Sequence, residues 1–316
     1  MTDWFARRTY HHRRFADLPQ LLRAKEERGL GVSVCIPTLN EAATIGPILR
    51  QIRTALVEEV PLVDELVVID SVSHDRTVAI ARDEGAEVFQ DREILPDREH
   101  FTGKGEALWK SLFVLKGDLV VWLDADIENF DPRFVYGPLG PLLLEPGVGY
   151  TKAFYDRPVK QAGPRNGTEG GRVTELVARP LLNLYWPELG QLIQPLSGEY
   201  AGRRDVLSEI PFFTGYGVEI GMVIDVYERF GMDCLAQVDL DRRVHRNRPI
   251  AELSRMSFAV MQAAIARLAS SGRVDLHAPP STTLTQFVKE ADRYETSALD
   301  IRVHERPPAA SLPEFR

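Results

Sequence analysis

Five consecutive apolar residues, Leu119-Val120-Val121-Trp122-Leu123, run directly into two acids, Asp124 and Asp126, separated only by Ala125. Such a run reads as a strand buried on both faces, and period-2 alternation points the two carboxylates the same way. In open α/β sheets the ligand crevice lies outside the carboxyl ends of the strands, where these acids fall. Two carboxylates in one small volume repel, and a divalent cation relieves them. Hard oxygen ligands suit Mg2+ or Mn2+, which also bridge to phosphates. Alone, Asp-x-Asp is short enough to recur by chance as a solvated acidic turn. Gly170-Gly171-Arg172-Val173-Thr174 opens a helical pattern. Free backbone N–H groups there and the Arg172 fork could hold a phosphate or carboxylate, although Gly-Gly-Arg is also an ordinary surface loop. His245 sits among Arg242, Arg243, Arg246 and Arg248, either a ligand group or a solvated basic turn. Glu219 at a helix start could act on a ligand or merely suit the helix dipole.

The elements that must position these residues alternate. After a polar, helical lead-in from Leu18 to Arg28, Val32 to Ile36 forms a β-rich run stopping at Pro37, followed by Thr38-Leu39-Asn40-Glu41 and a helix with Ile45, Ile48, Leu49, Ile52 and Leu56 at helical spacing. Glu65 to Ser71 repeats the plan, with Ser73 or Asp75 able to cap a helix that ends at Gly85. A third strand spans Ala86 to Phe89, and Gly103-Lys104-Gly105 introduces the helix before the Asp-Ala-Asp strand. Strand-helix alternation predicts a mainly parallel sheet covered on both faces. The second half is less regular: a strand at Gly149 to Tyr155, a polar loop at Lys160 to Gly171, and a helix from Glu175 to Leu184. A glycine-punctuated turn at Leu196 to Gly202, a helix after Gly215-Tyr216-Gly217, a strand at Leu235 to Leu240 and a long amphipathic helix follow. The expected organisation is an N-terminal arm (1–31), a nucleotide half (32–128), an acceptor half of the same catalytic domain (129–270) and an extended tail (271–316) laid on a partner subunit.

At 316 residues and 44% hydrophobic, the chain can bury a full core. A net charge of −8 gives no support for a general nucleic-acid binder. Two cysteines without metal spacing suggest reduced thiols, and no apolar run reaches the ~18 residues of a membrane span, so a cytoplasmic protein is expected. Neither G-x-G-x-x-G after the first strand nor G-x-x-x-x-G-K-[ST] occurs, which disfavours nicotinamide dehydrogenases and P-loop kinases.

The first loop, Asp70-Ser71, Lys104 and the Asp-Ala-Asp together resemble the nucleotide-sugar half of the GT-A glycosyltransferase fold. The blocks from Gly103 to Trp109, Gly171 to Leu182, Gln194 to Ala201, Gly215 to Gly221 and His245 to Pro249 narrow this to the bacterial glucosyl- and mannosyl-3-phosphoglycerate synthases, over roughly Val32 to Leu268. The resemblance implies an α/β fold of mixed, mainly parallel sheet. It implies nucleoside contacts at Pro37, Thr38, Leu39, Glu41 and Ser71, diphosphate contact at Lys104, and metal ligation by Asp126 and His245. Asp124 and Ala125 fall on the nucleotide-sugar side, Asp124 nearer the nucleoside or just behind the ion's direct ligands. The acceptor site takes Gly171, Arg172, Thr174, Tyr216, Arg243 and Asn247, and Glu219 faces the sugar. The implied reaction is Mg2+-dependent transfer of a hexosyl group, with retention, from a nucleotide-diphosphate sugar to 3-phosphoglycerate, giving a compatible-solute precursor. The likeness favours GDP-mannose, with GDP- or UDP-glucose as the alternative donor, Mn2+ or Co2+ as substitute ions and a homodimer as the assembly. Three other readings stay in view: a sugar-phosphate nucleotidyltransferase, which should carry a glycine-rich, arginine-bearing loop where this chain has Pro37 to Glu41, an inverting family-2-like transferase with another acceptor, and a non-catalytic nucleotide-sugar binder. Ala125 departs from the serine of the glucosyl enzymes and the tail matches poorly, which leaves donor choice and subunit contacts open.

Overall fold

The computed structural model describes residues 3–156, 171–244, 249–290 and 293–315. The polar loop before Gly171, and His245 and Asn247, lie outside them. A short helix α1 (Trp4–Arg8) leads into strand β1 (Thr9–His11), and α2 (Leu18–Glu27) precedes β2 (Val32–Thr38). Then come α3 (Ile45–Arg53), β3 (Glu65–Asp70), α4 (Thr77–Asp83), β4 (Glu87–Gln90), α5 (Lys104–Ser111), β5 (Leu119–Trp122), α6 (Arg133–Leu144) and β6 (Tyr150–Asp156). The second half adds α7 (Arg179–Tyr185), β7 (Tyr200–Arg203), α8 (Arg204–Ser208), β8 (Phe212–Phe213), α9 (Val218–Phe230), β9 (Leu235–Arg242) and α10 (Ile250–Ser270). The chain finishes with β10 (Thr283–Glu290), β11 (Arg293–Asp300) and β12 (Glu305–Arg306).

Eight strands make one sheet in the order β1-β9-β6-β7-β5-β2-β3-β4. Every neighbouring pair is parallel except the two that β7 makes, with β5 and β6. Alternation divides the strand residues between two cores. Val34, Ile36, Val68 and Val121 face one side with Ile45, Ile48, Leu49 and Ile52 of α3 and Phe134 and Leu139 of α6. Cys35, Val67, Ile69, Val120 and Trp122 face the other, with Leu108 and Trp109 of α5, Ile220 and Ile224 of α9 and Val260 and Ala264 of α10. The mixed, mainly parallel sheet covered on both faces is the expected fold.

Several local expectations change. The β2 ladder runs through Pro37 to Thr38, because β5 pairs with β2 only as far as Cys35↔Trp122 and leaves one side of Pro37 without a ladder to break. Leu196 to Gly202, expected as a turn, ends in β7: Tyr200 and Ala201 are fully buried, and Gly202 lets Leu207 pack against its backbone. The N-terminal residues, expected as an arm outside the catalytic domain, supply the edge strand β1, which pairs with β9, and Phe15, whose ring lies against Gly140. The tail is not simply extended. β10 and β11 form a hairpin, β12 pairs with β8, and buried Arg306 meets Glu106 at 2.6 Å. Cys35 and Cys234 are free and buried, and burial pushes the Cys35 thiol up to about 12. Among the described residues no helix is long and apolar enough to cross a membrane.

Candidate active site

The carboxyl ends of β2, β3, β5, β6 and β9 lie along one edge of the sheet, and because β7 runs the opposite way its amino end joins them. Residues from six strands therefore meet. At the β2–β3 end, Thr38 Oγ1 donates to Asp70 Oδ1 at 3.1 Å, and the Ser71 amide donates to the Thr38 carbonyl at 2.9 Å. The Asn40 amide donates to Ser73 Oγ and the Glu41 amide to Thr77 Oγ1, each at 2.8 Å. Asn40 takes a φ of 57°, a conformation asparagine tolerates, and this cross-bracing leaves Leu39 53% exposed at the rim. An exposed apolar residue on a fixed loop is suited to a flat ring. Pro37 and Ser71 are part-buried beside it.

Lys104 is the first residue of α5, and its flanking glycines explain its seat. A Cβ on Gly103 would stand 2.7 Å from Gly215 Cα, and one on Gly105 only 1.9 Å from the Phe213 carbonyl oxygen. With α5 so close, Lys104 Nζ reaches Asp124 Oδ1 at 2.5 Å and Glu219 Oε1, in the first turn of α9, at 2.8 Å. Burial opposes the charge on Lys104, but Asp124 and Glu219 outweigh it and hold its pKa well above the ordinary value.

Beyond β5, Ala125 is buried while Asp124 and Asp126 are part-exposed. Asp124 rests on Gly198, where a Cβ would fall 1.9 Å from its Oδ2. Arg243, just past β9 and 2% exposed, sets Nη2 at 2.7 Å from Asp126 and 3.1 Å from Asp124, and Nε at 2.9 Å from Glu199. Glu199 is wholly buried at the amino end of β7, also accepting from the Tyr155 hydroxyl; burial pushes its carboxyl up against the pull of Arg243. Beneath them, buried Lys152 donates to the Ser197 carbonyl at 2.6 Å and lies 4.1 Å over the Tyr200 ring. Four carboxylates thus face Lys104 and Arg243, an excess of negative oxygen that fits a hard divalent ion.

The structure brings Lys104, Asp124, Asp126, Glu219 and Arg243 together, with the Thr38 and Ser71 loops on the same edge. Arg243, expected at the acceptor, has its guanidinium on three carboxylates. Gly171, with φ of 87°, Arg172 and Thr174 open the helical turn that continues into α7, Arg172 exposed and Thr174 buried; Tyr216 is exposed in the turn before α9. Glu199, Tyr155 and Lys152 had not been singled out. An acid between Gly198 and a strand was the available signal for Glu199, masked by reading that stretch as a turn.

Residues 33–139 match glycosyl transferase family 2. With the sheet described above, this defines a glycosyltransferase of the GT-A fold. The glucosyl-3-phosphoglycerate synthase of Petrotoga mobilis is 46% identical over 316 residues, covering 100% of this chain and 97% of that protein. The chain belongs to the glucosyl- and mannosyl-3-phosphoglycerate synthase family, whose members transfer a glycosyl group to phosphoglycerate. The crystal structure of mannosyl-3-phosphoglycerate synthase from Rubrobacter xylanophilus superposes with a TM-score of 0.89 at 41% identity, over 98% of this chain and 97% of that one. That of the Mycobacterium tuberculosis glucosyl-3-phosphoglycerate synthase, in complex with Mn2+, UDP and glucosyl-3-phosphoglycerate, gives 0.83 at 43% identity, over 96% and 99%. The same enzyme is also known with Mg2+ and UDP.

Proposed function

We propose that this chain transfers a hexosyl group from a nucleoside diphosphate sugar to the hydroxyl of 3-phosphoglycerate, with Mg2+ or Mn2+ and with retention of the anomeric configuration. The observation that carries the reading is the interlocked set of Lys104, Asp124, Asp126, Glu219 and Arg243 at the edge where a family-2 donor half presents its strand ends. Pro37, Thr38, Leu39, Glu41 and Ser71 hold the nucleoside, and Lys104 meets the diphosphate. Asp126, with His245 from beyond the described residues, holds the ion, which when bound supplies positive charge for departure of the nucleoside diphosphate. Asp124, pinned between Lys104, Arg243 and Gly198, positions both cations and stays off the ion. Gly171, Arg172, Thr174, Tyr216 and Asn247 take the acceptor. Arg243 braces Asp124, Asp126 and Glu199 and from the same seat takes part in the acceptor site. Retention is carried over from the family likeness, with Glu219 engaged by Lys104 and Glu199 by Arg243.

Glucose is placed ahead of mannose, because the whole-length Petrotoga relative is a glucosyl enzyme, although the likeness read in the sequence favoured mannose. The exposed hairpin β10–β11 supports a homodimer. A panel of UDP- and GDP-linked glucose and mannose, each with 3-phosphoglycerate or unphosphorylated glycerate, tests the assignment by product mass and anomeric NMR coupling. Donor cleavage to the same extent without 3-phosphoglycerate, or an inverted product, would overturn it.

A further inference from the structure

At the opposite side of β9 from Arg243, three side chains converge that have no part in the reaction above. His11 closes β1, His12 follows it, and Asp241 lies near the end of β9. His11 Nε2 is 2.9 Å from Asp241 Oδ1 and His12 Nε2 is 2.8 Å from Asp241 Oδ2, and the three candidate ligand atoms lie within 4.8 Å of one another. We propose that His11, His12 and Asp241 form a second cation site, for a borderline transition metal such as Zn2+, Co2+ or Ni2+, that clamps the N-terminal edge strand to the strand carrying Arg243.

The donor set decides the class of ion. Two imidazoles and one carboxylate suit Zn2+ and its neighbours and not Mg2+, which prefers oxygen and keeps its waters. Bonds of about 2.0–2.1 Å at tetrahedral angles put ligand atoms about 3.4 Å apart, so the contacts of 2.8 and 2.9 Å open slightly and the two imidazoles, within 4.8 Å, draw together, one exposed position remaining for water. The surroundings are arranged for it. Asp241 holds a φ of 64° where the β6–β9 register shifts, with its amide donating to Asp239 Oδ1 at 2.8 Å; this irregularity turns its carboxylate to the histidines. His12 Nδ1 lies 3.2 Å from Tyr136 Oη, the outer hydrogen bond that orients a ligating imidazole. On binding, each imidazole gives up the Nε2 proton and carries one on Nδ1. His12 then donates to Tyr136, and His11 releases its 3.3 Å contact from the Arg13 amide. Two further charges face the site: Asp239, which favours a cation, and the exposed Arg13 guanidinium, 3.7 Å from Asp241 Oδ2, which is free to swing outward.

The test uses the full chain without nucleotide or Mg2+, titrated with Zn2+ by calorimetry and with Co2+ by visible absorption. The Asp126→Ala protein, lacking the proposed catalytic ligand, isolates this site and is expected to bind one equivalent of Zn2+ with a low-coordinate Co2+ spectrum. Adding His11→Ala or Asp241→Asn to it should weaken Zn2+ by at least about 10-fold and abolish that spectrum. Zn2+ should raise Tm in Asp126→Ala and not in the double variants, with circular dichroism confirming that all are folded. Failure of Asp126→Ala to bind, or unchanged binding in both double variants, overturns the proposal; neither result touches the assigned reaction.

Discussion

Arg243 holds three carboxylates with one guanidinium, and removing it leaves Glu199 buried without its cation. Breaking a buried pair from one side costs about 3–5 kcal/mol. Part-exposure of Asp124 and Asp126 places Arg243→Met toward about 3 kcal/mol. Urea denaturation at neutral pH should show that loss, and Mn2+ with UDP should restore part of it in proportion to the charge the ion brings. Lys152 gives a second expectation. Burial drives its pKa down to about 7, with Glu219 and Glu199 resisting the fall, against about 10.4 in an unfolded chain. Between those values the unfolded chain holds a proton that the folded chain has released, so stability rises with pH across that window. Replacing Lys152 by Met removes this dependence. Parent minus variant stability should therefore increase from pH 7 to pH 9, by at most about 1.4 kcal/mol per unit, and a flat difference in denaturation midpoints would show that Lys152 stays charged.

The seat of α5 decides where Lys104 points. A Cβ at Gly105 would meet the Phe213 carbonyl oxygen at 1.9 Å, a backbone contact that no side-chain rotation relieves. Gly105→Ala should therefore shift the amino end of α5 and lower kcat/KM on the order of 100-fold, as misplacement by about 1 Å does, with a smaller effect on Tm. An unchanged kcat/KM in steady-state assays would mean that Lys104 tolerates the shift. At this scale the first half was legible because parallel strands carry continuous apolar runs and their helices carry a 3.6 period, both local signals. Val32 to Ile36, Glu65 to Asp70 and Leu119 to Trp122 were readable in this way, although Pro37 hid the last two residues of β2. β7 was not: four residues holding Gly202 become a strand only because β5 and β6 lie on either side. β1 likewise exists through β9, more than 220 positions away, and no local pattern announces it. The site followed suit. Asp124, Asp126 and Lys104 were found from strand ends and loops, whereas Glu199 depended on the direction of an unrecognised strand.

For the whole molecule, the C-terminal residues divide into a part that returns to the body and a part that does not. Arg306 is buried on Glu106, and Trp109 Nε1 donates to the Pro307 carbonyl at 2.8 Å, so β12 and its neighbours complete the core around α5. The hairpin β10–β11 instead reaches the body through a few polar contacts to α10, among them Gln286 Nε2 to the Ala251 carbonyl at 2.9 Å and Arg255 Nε to Gln286 at 3.2 Å. Phe287 and Tyr294 are 68% and 71% exposed. A two-stranded hairpin is marginal in water by itself, and two exposed aromatic rings on it call for a covering surface. A second copy of the chain is the natural one, since most soluble oligomers are symmetric homo-oligomers and a twofold axis would give each hairpin the same cover. Phe287→Ser combined with Tyr294→Ser should therefore move the protein from dimer to monomer in light scattering after size exclusion. Because these rings contribute little to the chain's own core, the monomer should keep the fold by circular dichroism. A parent protein that is monomeric at all accessible concentrations would remove the homodimer, and a double variant that remains dimeric would place the subunit contact elsewhere.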